Sequence, residues 1–253
     1  MKLIVIFFSI FMILCSASSQ EEAESHSLFR SFNDNGQWAV LLSDLYKAEL
    51  RKNGTFDIKI NNHSFMNASF IERWRSYQHV PYVKLLDAEV FIRKNSKIVV
   101  VKYEYLWNDG VMKETLTFTT SSIKVSYSYI PSIKKNIRGF TALLKFDNEK
   151  MKNAEIIGMG MQGYDGNILR LDKNKKIKLH MRYIAIRKID GYDIGLAAEG
   201  GSWFSFMFSS SRKWIGGMHN GTFPLWDKIL YKKGEKYSLE YFVVISNLRV
   251  PSS

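Results

Sequence analysis

The side chains of this sequence that could move a proton are a few histidines and carboxylates next to turn-forming residues. His63 follows an asparagine, His219 lies in a glycine-rich loop at 216–221, and Glu199 directly precedes two glycines. A histidine titrates near neutral pH, and a carboxylate close to it can act as the second acid or base of a pair. The sequence identifies no catalytic group, and the candidates are His63, His219 and Glu199. The alternative is that each is a solvated surface residue.

Aromatic residues beside glycine or proline are the candidate ligand-binding residues. A sugar ring presents an apolar C–H face that can stack on a Trp or Tyr ring, while a nearby carboxylate accepts hydrogen bonds from its hydroxyl groups. Five residues in such turns are candidates: Tyr164, Asp165, Trp203, Trp214 and Trp226. The alternative is that these rings close the ends of the hydrophobic core, because large aromatic side chains are usually mostly buried.

Motifs for metal-dependent or nucleophilic catalysis are missing from the sequence. It has no pair of histidines at metal-ligand spacing and no Gly-x-Ser-x-Gly run. Its single cysteine, Cys15, lies in the apolar segment at the N-terminus. We therefore expect no metal and no cofactor, and no disulfide bond if Cys15 is removed with that segment.

The N-terminus has the features of a secretory signal peptide. Lys2 precedes an apolar run, Leu3–Leu14, and small residues follow as far as Ser19. The run is too short to span a bilayer as a helix, and no later run is long enough, so we expect no transmembrane segment. We predict a signal peptide at 1–19 and a mature protein that is secreted or held in the cell envelope. A lipid anchor at Cys15 fits less well, because no small residue stands just before it.

The elements that must position the candidate residues are β-strands. Apolar and polar residues alternate with a period of two in 97–107, 111–119 and 123–129, and turn-forming residues separate these runs. One face of the first run carries four residues suited to a core: Val99, Val101, Tyr103 and Tyr105. In the second run a carboxylate, Glu114, shares a face with apolar residues. The pattern predicts antiparallel sheet.

Strand patterns continue to the C-terminus, with hardly a helix between them. Further strands are predicted at these positions: 55–61, 154–157, 176–188, 192–197, 203–208 and 237–245. The segment 36–50 has two interpretations, an amphipathic helix or two short strands. We expect about fourteen strands in one all-β domain, a large antiparallel two-sheet β-sandwich at 31–253, preceded by a polar leader at 20–30.

The sequence is basic, with 36 Lys and Arg against 24 Asp and Glu, a net charge of +12, or +11 once Lys2 is removed. An anionic partner is compatible with this charge, although scattered lysines are also typical of a solvated surface. Export argues against nucleic acid and favours an acidic polysaccharide or a cell surface. Four sequons predict N-glycosylation in a eukaryotic host: Asn53, Asn62, Asn67 and Asn220.

Two segments of this sequence resemble the galactose mutarotase-like supersandwich. They are the hairpin and third strand at 102–129 and the closing run Gly234–Tyr241. This group includes aldose epimerases and the sandwich domains of polysaccharide lyases and glycosidases, so the resemblance implies a carbohydrate ligand. The run Asn62–Asn67 is similar to an aldose epimerase motif whose histidine is implicated in acid and base chemistry. The resemblance would give that role to His63, but here the motif precedes the hairpin, whereas in the family it follows many strands.

Three hypotheses for function follow from these observations. The first is a secreted carbohydrate-binding β-sandwich that recognises an extracellular glycan, with an acidic one preferred. The second is a carbohydrate-active enzyme, either an epimerase-like isomerase or a polysaccharide lyase. The third is a structural or adhesive surface protein without a small-molecule site. The fold can separate these hypotheses, because it shows whether the histidines, carboxylates and tryptophans lie together in one pocket.

Overall fold

The computed structural model contains twenty strands and one short 3-10 helix. It describes the following residues: 29–31, 38–43, 45–72, 83–107, 110–137, 140–146, 154–159, 169–170, 178–189, 191–199, 203–207, 215–219 and 229–247. The first ten strands are β1 (Phe29–Ser31), β2 (Trp38–Ser43), β3 (Tyr46–Leu50), β4 (Phe56–Ile60), β5 (His63–Glu72), β6 (Val83–Arg93), β7 (Ile98–Trp107), β8 (Gly110–Phe118), β9 (Ser122–Pro131) and β10 (Lys135–Ile137). The others are β11 (Phe140–Phe146), β12 (Glu155–Met159), β13 (Leu169–Arg170), β14 (Lys178–Met181), β15 (Tyr183–Ile189), β16 (Tyr192–Glu199), β17 (Trp203–Met207), β18 (Ile215–His219), β19 (Ile229–Tyr231) and β20 (Tyr237–Asn247). The helix is Lys94–Ser96.

The strands form two nine-stranded antiparallel sheets. Sheet A has the order β1-β2-β3-β4-β5-β11-β18-β17-β14, and sheet B has the order β13-β12-β15-β16-β20-β9-β8-β7-β6. A separate two-stranded sheet pairs β10 with β19. The predicted fold class, an all-β two-sheet sandwich, is confirmed. The expected fourteen strands are too few, because the structure also contains strands of two to five residues that are too short to show an alternating pattern.

The core lies between the two sheets and follows directly from the alternation in the sequence. On sheet B the buried face includes Val99, Val101, Tyr103 and Tyr105 of β7, as predicted. Strand β9 alternates perfectly between partly exposed and buried positions over its ten residues. Because alternate side chains of a strand point to opposite faces, each such strand supplies one apolar face to the core.

Side-chain contacts between the sheets fix how they stack. The Trp38 ring of sheet A stacks on the Tyr103 ring of sheet B, with ring centroids 5.4 Å apart and planes 7° apart. The Tyr46 hydroxyl donates a hydrogen bond of 2.6 Å to the carbonyl oxygen of Thr119. The Tyr192 hydroxyl donates one of 3.3 Å to the Asn61 side chain. We call the end of the sandwich that holds Tyr46, Asn61 and Tyr192 the hairpin end.

The described residues of the ambiguous segment 36–50 form strands rather than a helix. It contains β2 and β3, which pair with each other across a register shift between Val40 and Ser43. A turn at Asn53-Gly54 follows β3, and Gly54 has a φ of 73°, which a side chain would disfavour. Among the residues that the structure describes, no helix is long and apolar enough to cross a bilayer.

Candidate functional site

The chain crosses from sheet A to sheet B at Arg182, opposite the hairpin end. Strand β14 of sheet A ends at Met181, and β15 of sheet B begins at Tyr183. The carbonyl oxygen of Arg182 accepts a hydrogen bond of 2.8 Å from the backbone N–H of Ala198 on β16. Arg182 and Tyr183 are both exposed. We call this end of the sandwich the crossover end.

The crossover end brings together three of the residues singled out in the sequence. Trp203 on β17 and His219 on β18 are directly paired across the strands of sheet A. Glu199 is the last residue of β16, four residues before Trp203, so their Cα atoms lie at most about 14 Å apart. Met181 is paired with Phe204 on β17. Because these strands are antiparallel, the backbone of Arg182, which follows Met181, lies beside that of Trp203, which precedes Phe204.

Glu199 is part of an ion-pair cluster on the outer face of sheet B. Lys124 Nζ lies 3.0 Å from Glu199 Oε2 and 3.3 Å from Glu240 Oε2. The hydrogen bond with Glu199 is the largest cause that raises the pKa of Lys124. Lys124 therefore holds one oxygen of the Glu199 carboxylate, whose remaining lone pairs can accept a hydrogen bond from a ligand hydroxyl group.

His63 lies at the hairpin end, away from the other candidates. Asn61 and Asn62 both adopt the left-handed conformation, with φ of 50° and 62°, and form the two-residue turn between Ile60 and His63. Along β5, His63 is eight residues from Ile71, which shares a row of sheet A with His219, so the two histidines are about 26 Å apart along the strand direction alone. The structure therefore does not unite His63 with His219 or Glu199 in one site.

The structure describes some of the remaining candidate residues and not others. Tyr164, Asp165, Trp214, Trp226 and Asn220 lie outside the described residues. Of the predicted glycosylation sites, Asn53 and Asn62 are exposed in turns. The Asn67 side chain lies within β5 and donates a hydrogen bond of 2.7 Å to the buried carboxylate of Asp57, which also pairs with Arg51. Among the described residues, no three His, Cys, Asp or Glu side chains are grouped to bind a metal ion.

A buried carboxyl group in the core is the feature that sequence reasoning missed. Glu114 of β8 is 0% exposed on the inner face of sheet B. Its Oε2 accepts a hydrogen bond of 3.1 Å from the Tyr105 hydroxyl of the neighbouring strand. Two further tyrosines, Tyr103 and Tyr127, flank it as its direct partners on β7 and β9. The signal was available, because Glu114 shares its strand face with apolar residues only.

The surroundings of Glu114 favour its protonated form. Burial raises the pKa of Glu114 to about 8, and the hydrogen bond from Tyr105, together with the nearby Tyr127 hydroxyl group, opposes this rise only in part. Burial, together with the Glu114 charge, also raises the pKa values of Tyr105 and Tyr127 well above their ordinary value. A carboxyl group kept neutral near neutral pH is a feature of many active sites, but a residue enclosed in the core cannot touch a ligand without a rearrangement of the sheets.

Sequence comparisons identify no relative of this chain. It matches no protein-family model, and it matches no curated protein sequence.

Comparison of the fold identifies similar solved structures. A galactose mutarotase-like protein from Clostridium acetobutylicum has a TM-score of 0.54 at 6% identity, over 87% of this chain and 98% of that one. A GH36 alpha-galactosidase from Geobacillus stearothermophilus has a TM-score of 0.58 at 8% identity, over 87% of this chain and 41% of that one. The heparan sulfate lyase HepC from Pedobacter heparinus has a TM-score of 0.53 at 8% identity, over 87% of this chain and 36% of that one.

These matches confirm the predicted resemblance at the level of fold. The chain has the size of a galactose mutarotase-like protein and spans less than half of the two enzymes. Identities of this size establish architecture only, because one fold supports many unrelated functions. The fold of this chain is similar to that of the galactose mutarotase-like protein from Clostridium acetobutylicum.

Proposed function

We propose that this protein is a secreted carbohydrate-binding sandwich that recognises an acidic glycan at its crossover end. The observation that carries the proposal is the two-sheet fold, whose similar structures include a mutarotase-like protein, an alpha-galactosidase and a heparan sulfate lyase. The names of these proteins refer to sugars, including one acidic polysaccharide. The net charge of +12 is consistent with an acidic ligand.

The crossover end has side chains that suit such a ligand. Arg182 is exposed at the passage between the sheets, and a guanidinium group can bind a carboxylate or sulfate through two parallel hydrogen bonds. Tyr183 is exposed beside it and offers a ring for stacking, and the backbone of Trp203 lies on β17 at the same end. Glu199, held by Lys124, could accept hydrogen bonds from sugar hydroxyl groups.

A glycan array with the mature protein tests this proposal. We expect binding to one or more acidic glycans that weakens with rising salt, because exposed charge pairs are screened over about 10 Å at 0.1 M ionic strength. Binding restricted to neutral sugars would contradict the proposal that the ligand is an acidic glycan. No binding to any glycan at millimolar concentration would favour a structural or adhesive role instead.

Export is part of the same proposal and has a direct test. The apolar run Leu3–Leu14 and the small residues before Gln20 support removal of the first nineteen residues. We expect the intact mass of the exported protein to correspond to a chain that begins near Gln20. A mass that retains Leu3–Leu14 would argue against cleavage and export.

Catalysis at the same end is the second candidate function. It is favoured by one observation, that Glu199 and His219 both lie at the crossover end. An isomerase or lyase working there should lose turnover in a His219→Ala variant and keep it in His63→Ala. The opposite result would support an epimerase-like role for the motif Asn62–Asn67. Absence of turnover with a glycan that binds tightly would leave recognition as the function.

A further inference from the structure

Sheet B carries a basic surface with exposed aliphatic side chains near the turn between β19 and β20. We call it the lysine–aliphatic surface and define it by six residues: Lys84, Leu86, Leu106, Ile133, Lys233 and Lys236. All six are exposed. Leu106 is paired with Lys84 on one side and with Val111 on the other, and Val111 is paired with Ile130. Ile133 follows in the loop after β9.

The backbone holds this surface in a fixed shape. The loop after β9 leads into β10, and the turn before β20 follows β19, so the two-stranded sheet ties the loop and the turn together. Gly234 donates a backbone hydrogen bond of 2.9 Å to the carbonyl oxygen of Pro131. Beneath the turn, the buried Tyr231 ring packs against the Tyr237 ring, with centroids 4.1 Å apart. The lysines and Ile133 are therefore presented on a preorganised support.

The charge of the lysine–aliphatic surface is positive after its acidic neighbours are considered. Glu235 in the turn pairs with Lys232 at 3.0 Å. Glu104 in the adjacent row pairs with Lys113 at 2.8 Å. Asp87 is exposed near Leu86. Lys84, Lys233 and Lys236, joined by Lys134 next to Ile133, outnumber this one carboxylate.

The exposed aliphatic side chains distinguish between kinds of anionic partner. Leu86 is 48% exposed, Leu106 37% and Ile133 51%, three of the six large apolar side chains that are exposed in the described part of the chain. A soluble polyanion such as an acidic polysaccharide needs the lysines but gains nothing from leucine or isoleucine. A bilayer with anionic headgroups uses both, because aliphatic side chains enter the interface while lysines lie at the phosphates.

We propose that the lysine–aliphatic surface docks the protein onto an anionic lipid bilayer. Ile133 and Leu106 enter the headgroup region, and Lys233 and Lys236 bind the lipid phosphates. This contact requires no glycan and no spanning segment, although Lys236 lies at the same end of sheet B as Glu199, the partner of Glu240 on β20. It adds a membrane surface to the partners of the protein.

Sedimentation with vesicles tests the proposal on the full mature chain. The probes are vesicles of phosphatidylcholine alone and vesicles with about 30% phosphatidylglycerol, a composition that gives a negative surface potential. We expect at least about tenfold tighter binding to the anionic vesicles, reduced by salt. A Lys233→Glu/Lys236→Glu variant and an Ile133→Ser/Leu106→Ser variant should each lose this binding. All four positions are exposed, so a thermal melt should show little change in stability.

Matched substitutions elsewhere on the protein serve as controls. Lys97→Glu changes an exposed charge at the opposite end of sheet B, and Val244→Ser removes an aliphatic side chain that is 44% exposed on the same sheet. Both should bind vesicles like the unchanged protein. Failure to bind anionic vesicles would overturn the proposal. Binding that survives Ile133→Ser/Leu106→Ser and is displaced by soluble heparin would overturn it as well, in favour of a polyanion site.

Discussion

Tyr105 donates a hydrogen bond of 3.1 Å to Glu114, a carboxyl group with no exposure to solvent. The two residues lie on neighbouring strands, β7 and β8, and both point into the core between the sheets. Two apolar side chains in their places would need no polar partner. Because the Glu114 carboxyl group can gain or lose a proton, this pair makes the stability of the folded protein depend on pH.

We expect the stability of the protein to fall as the pH rises from about 4.5 to about 8. The pKa of Glu114 is raised from its ordinary value of 4.5 to about 8, so across this window the native state holds a proton that the unfolded chain has lost. A native state that binds more protons loses stability with rising pH, here by on the order of 5 kcal/mol in total. Urea unfolding at pH 5 and pH 8 measures the difference.

The Glu114→Gln variant tests whether Glu114 causes this fall in stability with rising pH. A neutral amide of similar shape removes the titration, so the fall between pH 5 and pH 8 should become smaller. Glu104→Gln is the matched control, because Glu104 lies on the outer face of the same sheet and pairs with Lys113. An unchanged pH dependence in Glu114→Gln, or an equal change in Glu104→Gln, would assign the effect to other groups.

The two tyrosines of β7 should respond differently to loss of their hydroxyl groups. Tyr105→Phe removes the hydrogen bond to Glu114 and should cost about 1–3 kcal/mol. The Tyr103 hydroxyl is buried and has no hydrogen-bond partner in the described part of the chain, so Tyr103→Phe should be neutral or stabilising while keeping the stack on Trp38. Denaturant midpoints of the two variants give the comparison. A larger loss for Tyr103→Phe would contradict the assigned contacts.

The fold was predictable from sequence because alternation reports directly on which face of a strand is buried. The run 97–129 is the strongest case, and Val99, Val101 and Tyr105 are all fully buried. The site was less predictable because it depends on pairings between distant segments. Nothing local to His219 indicates that it pairs with Trp203, or that His63 lies at the opposite end. Glu114 was visible as a charge on an apolar face, but its burial depends on the second sheet.

We expect the three sequons in the first half of the chain to differ in glycan occupancy. Asn53 and Asn62 lie exposed in turns, whereas the Asn67 amide is held by Asp57 within β5. We expect glycan at Asn53 or Asn62 and little at Asn67 when the protein is expressed through a eukaryotic secretory pathway. Peptide mapping after glycosidase treatment in water labelled with heavy oxygen identifies the occupied sites, because each released glycan leaves an aspartate that carries the label. Full occupancy of Asn67 with Asn53 and Asn62 empty would be inconsistent with this structure.

The most direct test of carbohydrate recognition at the crossover end is calorimetric titration of an array-selected acidic glycan into paired variants. Arg182→Ala and Trp203→Ala should each weaken binding by about tenfold, through loss of a charged hydrogen bond and of a stacking ring. His63→Ala, at the hairpin end, should bind with the affinity of the unchanged protein. Unchanged affinity in both crossover variants, or a loss confined to His63→Ala, would contradict the proposed site.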